Sequence, residues 1–125
     1  MQAWKAIVVE DDSDSMDLVQ SLLEYQGIQV LPARTAQAAL DILRDVTPTL
    51  FIIDLSLPGM DGWGLLKELQ ARRDLARVPR VAITAYHSQE TASKAIEAGF
   101  DAYFPKPLDA TTFGREIEGI VNSYG

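Results

Sequence analysis

Cysteine is absent from this 125-residue chain, and His87 is its only histidine. Disulfide frameworks, thiolate metal sites and three-histidine metal centres are therefore excluded, so any metal must be held by oxygen. No apolar run approaches the ~20 residues that a membrane-spanning helix needs. The opening MQAWKAIVVEDD carries a short apolar run that ends in three acids. That is the pattern of a strand and not of a signal peptide. Basic residues are scarce too: 11 Lys and Arg stand against 18 Asp and Glu, a net charge of −7. An acidic chain without a basic stripe is poorly suited to hold nucleic acid by counterion release. Arg72, Arg73, Arg77 and Arg80 merely scatter around one connection. The expectation is a cytoplasmic protein with neither nucleic acid nor membrane as a direct partner.

What is present suffices for a core. Hydrophobic residues make up 47% and charged residues 23%, proportions of a globular domain. The length suits one domain, and no linker, repeat or low-complexity segment interrupts it. The pattern alternates strand and helix five times. Residues 4–9 read as a strand. Residues 14–26 place Met16, Val19, Leu22 and Leu23 at helical spacing, and Gly27 follows as a helix stop. Residues 28–32 form a second strand. Thr35 then caps an amphipathic helix over 36–46. Residues 50–54 are the third strand and 61–73 the third helix, in which Met60 and Trp63 read as packing at the helix start. Strand 80–84 precedes a helix from Ser88 to Gly99. Strand 101–104 is followed by a helix over 110–124 with Asp109 at its cap. Short apolar strands separated by helices predict a parallel sheet covered on both faces. The fold expected is a doubly wound α/β domain with five parallel strands in the flavodoxin-like order 2-1-3-4-5.

Such sheets bind ligands outside the carboxyl ends of their strands. The first strand delivers Glu10, Asp11 and Asp12 there, the third Asp54 and the fourth Thr84. Lys106 follows the fifth. Each has an ordinary explanation: Asp12 or Ser13 can cap a helix, a strand-end aspartate can bind turn N–H groups, and a loop lysine needs no role. Their convergence at one edge is what carries information. Clustered carboxylates raise one another's pKa, and a hard dication relieves the repulsion. Mg2+ prefers oxygen ligands and takes one or two carboxylates with phosphate oxygens. A carboxylate so placed, beside a lysine and a hydroxyl, can attack a phosphoryl group. Gly59 and Gly62 read as backbone turns near this edge.

At this point the sequence resembles the receiver domain of two-component response regulators, over essentially the whole chain. The resemblance rests on IVVEDD with Glu10 and Asp11, IIDLSLPGMDGW with Asp54, AITA with Thr84, and DAYFPKP with Tyr103 and Lys106. Thr84 stands 30 residues after Asp54, Tyr103 stands 19 after Thr84, and Lys106 stands 3 after Tyr103, as in that family. The resemblance implies a phosphorylation switch. A histidine kinase or histidine phosphotransfer protein would donate phosphate to Asp54. Asp11, Asp54 and the backbone carbonyl of Ser56 would ligate Mg2+, or Mn2+, with Glu10 acting mostly through water. Lys106 would contact the phosphate, and the Lys106–Pro107 bond would be cis. Thr84 would move toward the phosphate and Tyr103 would rotate inward. The face of the fourth helix, fifth strand and fifth helix would then present itself differently to a downstream protein.

Several details bear on the kind of receiver. Dimerising transcription-factor receivers often carry GADDY where this chain has GFDAY, with Ala102 in place of the second acid. The matching basic position in the last helix falls on Glu116, beside Arg115. A monomer or weak dimer is expected, as a single domain over 1–125 without an output domain, of the stand-alone phosphorelay or hybrid-kinase type. Ser56 and Tyr86 flank the phosphate and would tune its hydrolysis, Ser56 leaving room for water and Tyr86 covering the approach. Turnover would be confined to the protein's own phosphorylation and dephosphorylation, so no classical enzyme is expected. Two alternatives stand beside this reading. An aspartate-nucleophile phosphatase wants a second acid two residues after the nucleophile, where this chain has Ser56. A pseudo-receiver binds partners without phosphorylation, and would be expected to lack Asp54, Lys106 or the acid pair.

Overall fold

A computed structural model describes residues 4–57 and 61–124. Five strands alternate with five helices: β1 (Lys5–Val9), α1 (Ser13–Tyr25), β2 (Gln29–Ala33), α2 (Ala36–Ile42), β3 (Leu50–Asp54), α3 (Gly62–Gln70), β4 (Arg80–Thr84), α4 (Gln89–Ala98), β5 (Ala102–Pro105) and α5 (Phe113–Tyr124). The strands form one parallel sheet in the order β2-β1-β3-β4-β5. The expected fold class and topology are therefore those observed. Gly59 and Met60, read from the sequence as a turn glycine and as packing at the helix start, lie outside the described residues.

Alternation along the strands divides the core into two layers. Ala6, Val8, Leu50 and Ile52 face α1 and α5, where Met16, Val19, Leu23, Phe113, Ile117 and Val121 complete one buried layer. Ile7, Val9, Phe51 and Ile53 face the other side, against Ala39 of α2, Leu65 and Leu66 of α3, and Ala95 of α4. Every residue of β3 is buried, as a central strand covered on both faces requires. Pro32 sits in β2 at the edge of the sheet, where no further strand needs its missing N–H. Gly27 and Gly99, ending α1 and α4, adopt φ of 81° and 122°, a conformation that L side chains disfavour.

Boundaries differ from the sequence reading by three residues or more in three places. α2 stops at Ile42, four residues early, because Arg44 and Asp45 turn back onto Asp41 and Ile42 in tighter bonds ahead of Pro48. α3 ends at Gln70, and a separate 3-10 turn at Arg73–Leu75 follows it. That turn buries Leu75, whose carbonyl accepts a 2.8 Å hydrogen bond from the guanidinium of buried Arg80. α5 becomes regular only at Phe113. Asp109 caps the preceding turn, its Oδ1 accepting from the N–H and hydroxyl of Thr111 at 2.9 and 2.6 Å. No helix among the described residues is long and apolar enough to cross a membrane.

Candidate functional site

The parallel ladder continues one residue beyond several strands and thereby fixes the site. Glu10 N–H donates to the Ala33 carbonyl at 2.9 Å, Leu55 N–H to Ile83 at 3.0 Å, and Lys106 N–H to Thr84 at 2.8 Å. Glu10, Asp54 and Thr84 are held by rigid, buried backbone and are themselves buried, with Asp54 only 4% exposed. Asp11 and Ser56, the next residues outward, are exposed. The sheet thus brings together the residues that sequence reasoning predicted to meet.

The Asp54 carboxylate has both oxygens engaged. Oδ1 accepts from the Ser56 N–H at 2.9 Å and Oδ2 accepts from Lys106 Nζ at 3.3 Å. The same Nζ makes a tight ion pair with Glu10 Oε1. Glu10 Oε2 is buried without a hydrogen-bond partner. Burial, then the adjacent Asp54 carboxylate, pushes the Glu10 carboxyl up to about 7, against the pull of Lys106. For Lys106, burial acts to lower the pKa, but the hydrogen bond to Glu10 and the charges of Asp54 and Glu10 outweigh it, and the net shift is upward. One ammonium therefore balances two buried carboxylates, leaving a site short of positive charge.

Glu10, Asp11 and Asp54 each offer an oxygen, and these atoms lie within 4.8 Å of one another. An all-oxygen acidic cluster with an unpartnered buried oxygen and one solvent-facing carboxylate suits a hard, partly hydrated dication. Asp12 does not join the cluster. Its Oδ2 accepts from the Ser15 N–H at 2.8 Å as the cap of α1, and those Ser15 hydrogen bonds lower its pKa.

On the far side of Asp54, Thr84 is turned onto its own loop, its Oγ1 accepting from the Tyr86 N–H at 3.0 Å. Tyr86 is 74% exposed and, with Ser56, Thr84, Trp63 and Lys94, lines a cavity of about 570 Å3. Tyr103 is half-buried, and its hydroxyl lies 3.0 Å from His87 Nδ1. Burial raises its pKa, opposed by a hydrogen bond with the Ser88 backbone. The Lys106–Pro107 peptide is cis. The Trp63 ring meets Phe100 edge-on at 6.0 Å, which is packing, as its place at the start of α3 indicated.

Three contributions escaped the sequence reading. Gly62 allows α3 to start against the end of β3: a Cβ there would lie 2.5 Å from the Asp54 carbonyl oxygen and 2.8 Å from Leu55 Cα. Arg34, just past β2, donates to the Asp11 carbonyl at 3.2 Å and to Ser13 Oγ at 2.8 Å, tying down the acidic loop. Its place at the carboxyl end of a strand was the available signal. His87 is the third, and its position three residues after Thr84 was the clue.

Comparison with known proteins agrees with this geometry. The family described as response regulator receiver domain matches residues 6–118. A 14.6 kDa protein encoded beside sodA1 in Leptolyngbya boryana is 36% identical over 112 residues, covering 90% of this chain and 86% of that protein. The polar-differentiation response regulator DivK of Brucella ovis is 30% identical over 115 residues, covering 92% and 94%. The crystal structure of a CheY-like response regulator receiver protein from Methanospirillum hungatei superposes with a TM-score of 0.87 at 27% identity, covering 98% and 97%. The chain belongs to the response regulator receiver domain family of two-component signalling.

Proposed function

We propose that Asp54 accepts a phosphoryl group from the phosphohistidine of a sensor kinase or histidine phosphotransfer protein. The observation that carries this reading is the setting of Asp54: buried, held by the Ser56 N–H and Lys106, and sharing an oxygen cluster with Glu10 and Asp11. A carboxylate oxygen of Asp54 attacks phosphorus, the P–N bond to the donor imidazole breaks, and an acyl phosphate forms. The imidazole takes a proton as it leaves. Burial fixes the nucleophile in line, and Lys106 neutralises charge on the phosphoryl oxygens.

Asp11, Asp54 and the Ser56 carbonyl would hold Mg2+, or Mn2+, with Glu10 acting through water. The ion supplies the positive charge that one lysine leaves short. Once phosphate arrives, the Thr84 hydroxyl leaves the Tyr86 N–H and donates to a phosphoryl oxygen. Tyr103 follows inward, and the α4–β5–α5 face changes for a downstream protein partner. Ser56 and Tyr86 set how readily water reaches the acyl phosphate, and Tyr86→Ala should shorten its lifetime. With a net charge of −7, output through protein contacts is favoured over direct nucleic-acid binding, which fits a relay or adaptor role as a monomer or weak dimer.

The test is incubation with Mg2+ and acetyl phosphate, followed by intact-mass measurement. A gain of one phosphoryl group in the wild type, lost in Asp54→Asn and lost when a chelator is added, is expected. No gain in the wild type would leave a phosphorylation-independent binding module. Sustained release of phosphate from monoesters would instead indicate a phosphatase.

A further inference from the structure

The chain's only histidine has no part in the chemistry above. His87 is exposed, yet its Nδ1 lies 3.0 Å from the Tyr103 hydroxyl on β5. The two rings lie 5.6 Å apart, tilted by 36°. The Ser88 backbone also hydrogen-bonds this hydroxyl. A backbone N–H can only donate, so the phenolic oxygen accepts from Ser88 and keeps both its proton and a second lone pair for His87. The tautomer of the imidazole sets which partner donates in the pair with Nδ1. One position upstream of His87, the same connection holds Thr84 through the Tyr86 N–H. Both groups expected to move in the switch are thus tethered by neighbouring residues of one loop.

We propose that His87 is a positioning residue that holds Tyr103 outward in the resting protein and so opposes activation. The inference rests on the reading of Tyr103 as the switch aromatic. For Tyr103 to turn inward, its hydroxyl must give up the His87 hydrogen bond and the tilted ring contact. At an exposed site water replaces the lost bond in part, so the net bias is that of one ordinary hydrogen bond, about fivefold in the inward-to-outward ratio. Phosphorylation must overcome this bias through its preference for the inward form. An asparagine at position 87 can place its side-chain amide near the site of Nδ1 and keep the hydrogen bond in either direction.

The test compares wild type, His87→Ala and His87→Asn. Tyr103 side-chain rotamers are read by NMR on tyrosine-labelled, unphosphorylated protein, and phosphorylation rates with Mg2+ and acetyl phosphate are read by intact mass. His87→Ala is expected to raise the inward-to-outward ratio about fivefold and to speed phosphorylation by up to the same factor. His87→Asn is expected to stay near wild type on both. Unchanged rotamers in His87→Ala, or a changed rotamer ratio with an unchanged rate, overturns the proposal. Failure of the Asp54 reading would show differently, as no mass gain in any of the three proteins. His87 lies on the surface, so neither variant removes core packing.

Discussion

Replacing Gly62 by alanine tests how α3 seats the site. The new Cβ would come 2.5 Å from the Asp54 carbonyl oxygen and 2.8 Å from Leu55 Cα. Both atoms belong to backbone locked in the sheet, since Leu55 N–H bonds Ile83 and Asp54 pairs in register with β4. No side chain can swing aside, so α3 must shift as a unit. Overpacking of this kind costs about 1–3 kcal/mol, and a backbone clash belongs at the upper end. Against a chain of this size that corresponds to a fall in Tm of about 10 °C. Gly119 in α5 supplies the control, since an added Cβ there meets nothing within 4 Å. Gly119→Ala should gain roughly 0.5–1 kcal/mol through the lower entropy of the unfolded chain and better helix propensity. Urea denaturation of the three proteins, read as Cm at constant m, makes the comparison. Two variants of identical chemistry should move in opposite directions. Equal stability of Gly62→Ala and wild type would refute the argument that close approach, and not helix propensity, dictates glycine at position 62.

Other perturbations bear on the charges. Glu10 holds its proton up to a pH of about 7 when folded, against the usual 4.5. Between those values the folded state binds a proton that the unfolded state has released, so this contribution to stability is lost as pH rises through 7. In chelator, wild type should therefore lose about 1 kcal/mol between pH 6 and 8 relative to Glu10→Gln, measured by urea denaturation. A wild type that gains relative to the variant would contradict it. Mg2+ should raise the wild-type Tm as a ligand of the folded state alone, the stabilisation being about 2.7 kcal/mol at a hundredfold excess over its Kd. Asp11→Asn should abolish most of that rise in a calorimetric scan. Lys106→Ala removes the only cation facing Glu10 and Asp54 among the described residues. It should destabilise the metal-free protein at pH 8 by about 3 kcal/mol, with Mg2+ restoring part of the loss in the same scan.

Topology was legible in the sequence because the strands are short, apolar and regularly spaced by helices with visible caps. Asp12, Thr35, Asp61 and Ser88 all act as caps. Once that order is known, convergence of Glu10, Asp11, Asp54, Thr84 and Lys106 follows from where parallel strands end. The helix ends were harder. The 3-10 turn at Arg73–Leu75 depends on a hydrogen bond from Arg80, which lies across the connection and has no periodic signature. The start of α5 was misplaced because Asp109 caps a turn first. Contacts made by Arg34 and His87 escaped for the same reason: they are long-range hydrogen bonds made by exposed residues. Hydrophobic pattern reports burial and says nothing about such bonds. Gly62 was read as a turn glycine, but its constraint is steric and visible only when α3 is set against β3.

The central claim is that Asp54 is the phosphoryl acceptor. The most direct measurement is borohydride reduction after reaction with acetyl phosphate and Mg2+, followed by peptide mass mapping. Reduction converts an aspartyl phosphate to homoserine and so marks the residue that carried the phosphate. The account predicts conversion at position 54 alone, dependent on Mg2+. Conversion at Asp11 or Asp12, or none in protein that remains folded, would contradict it.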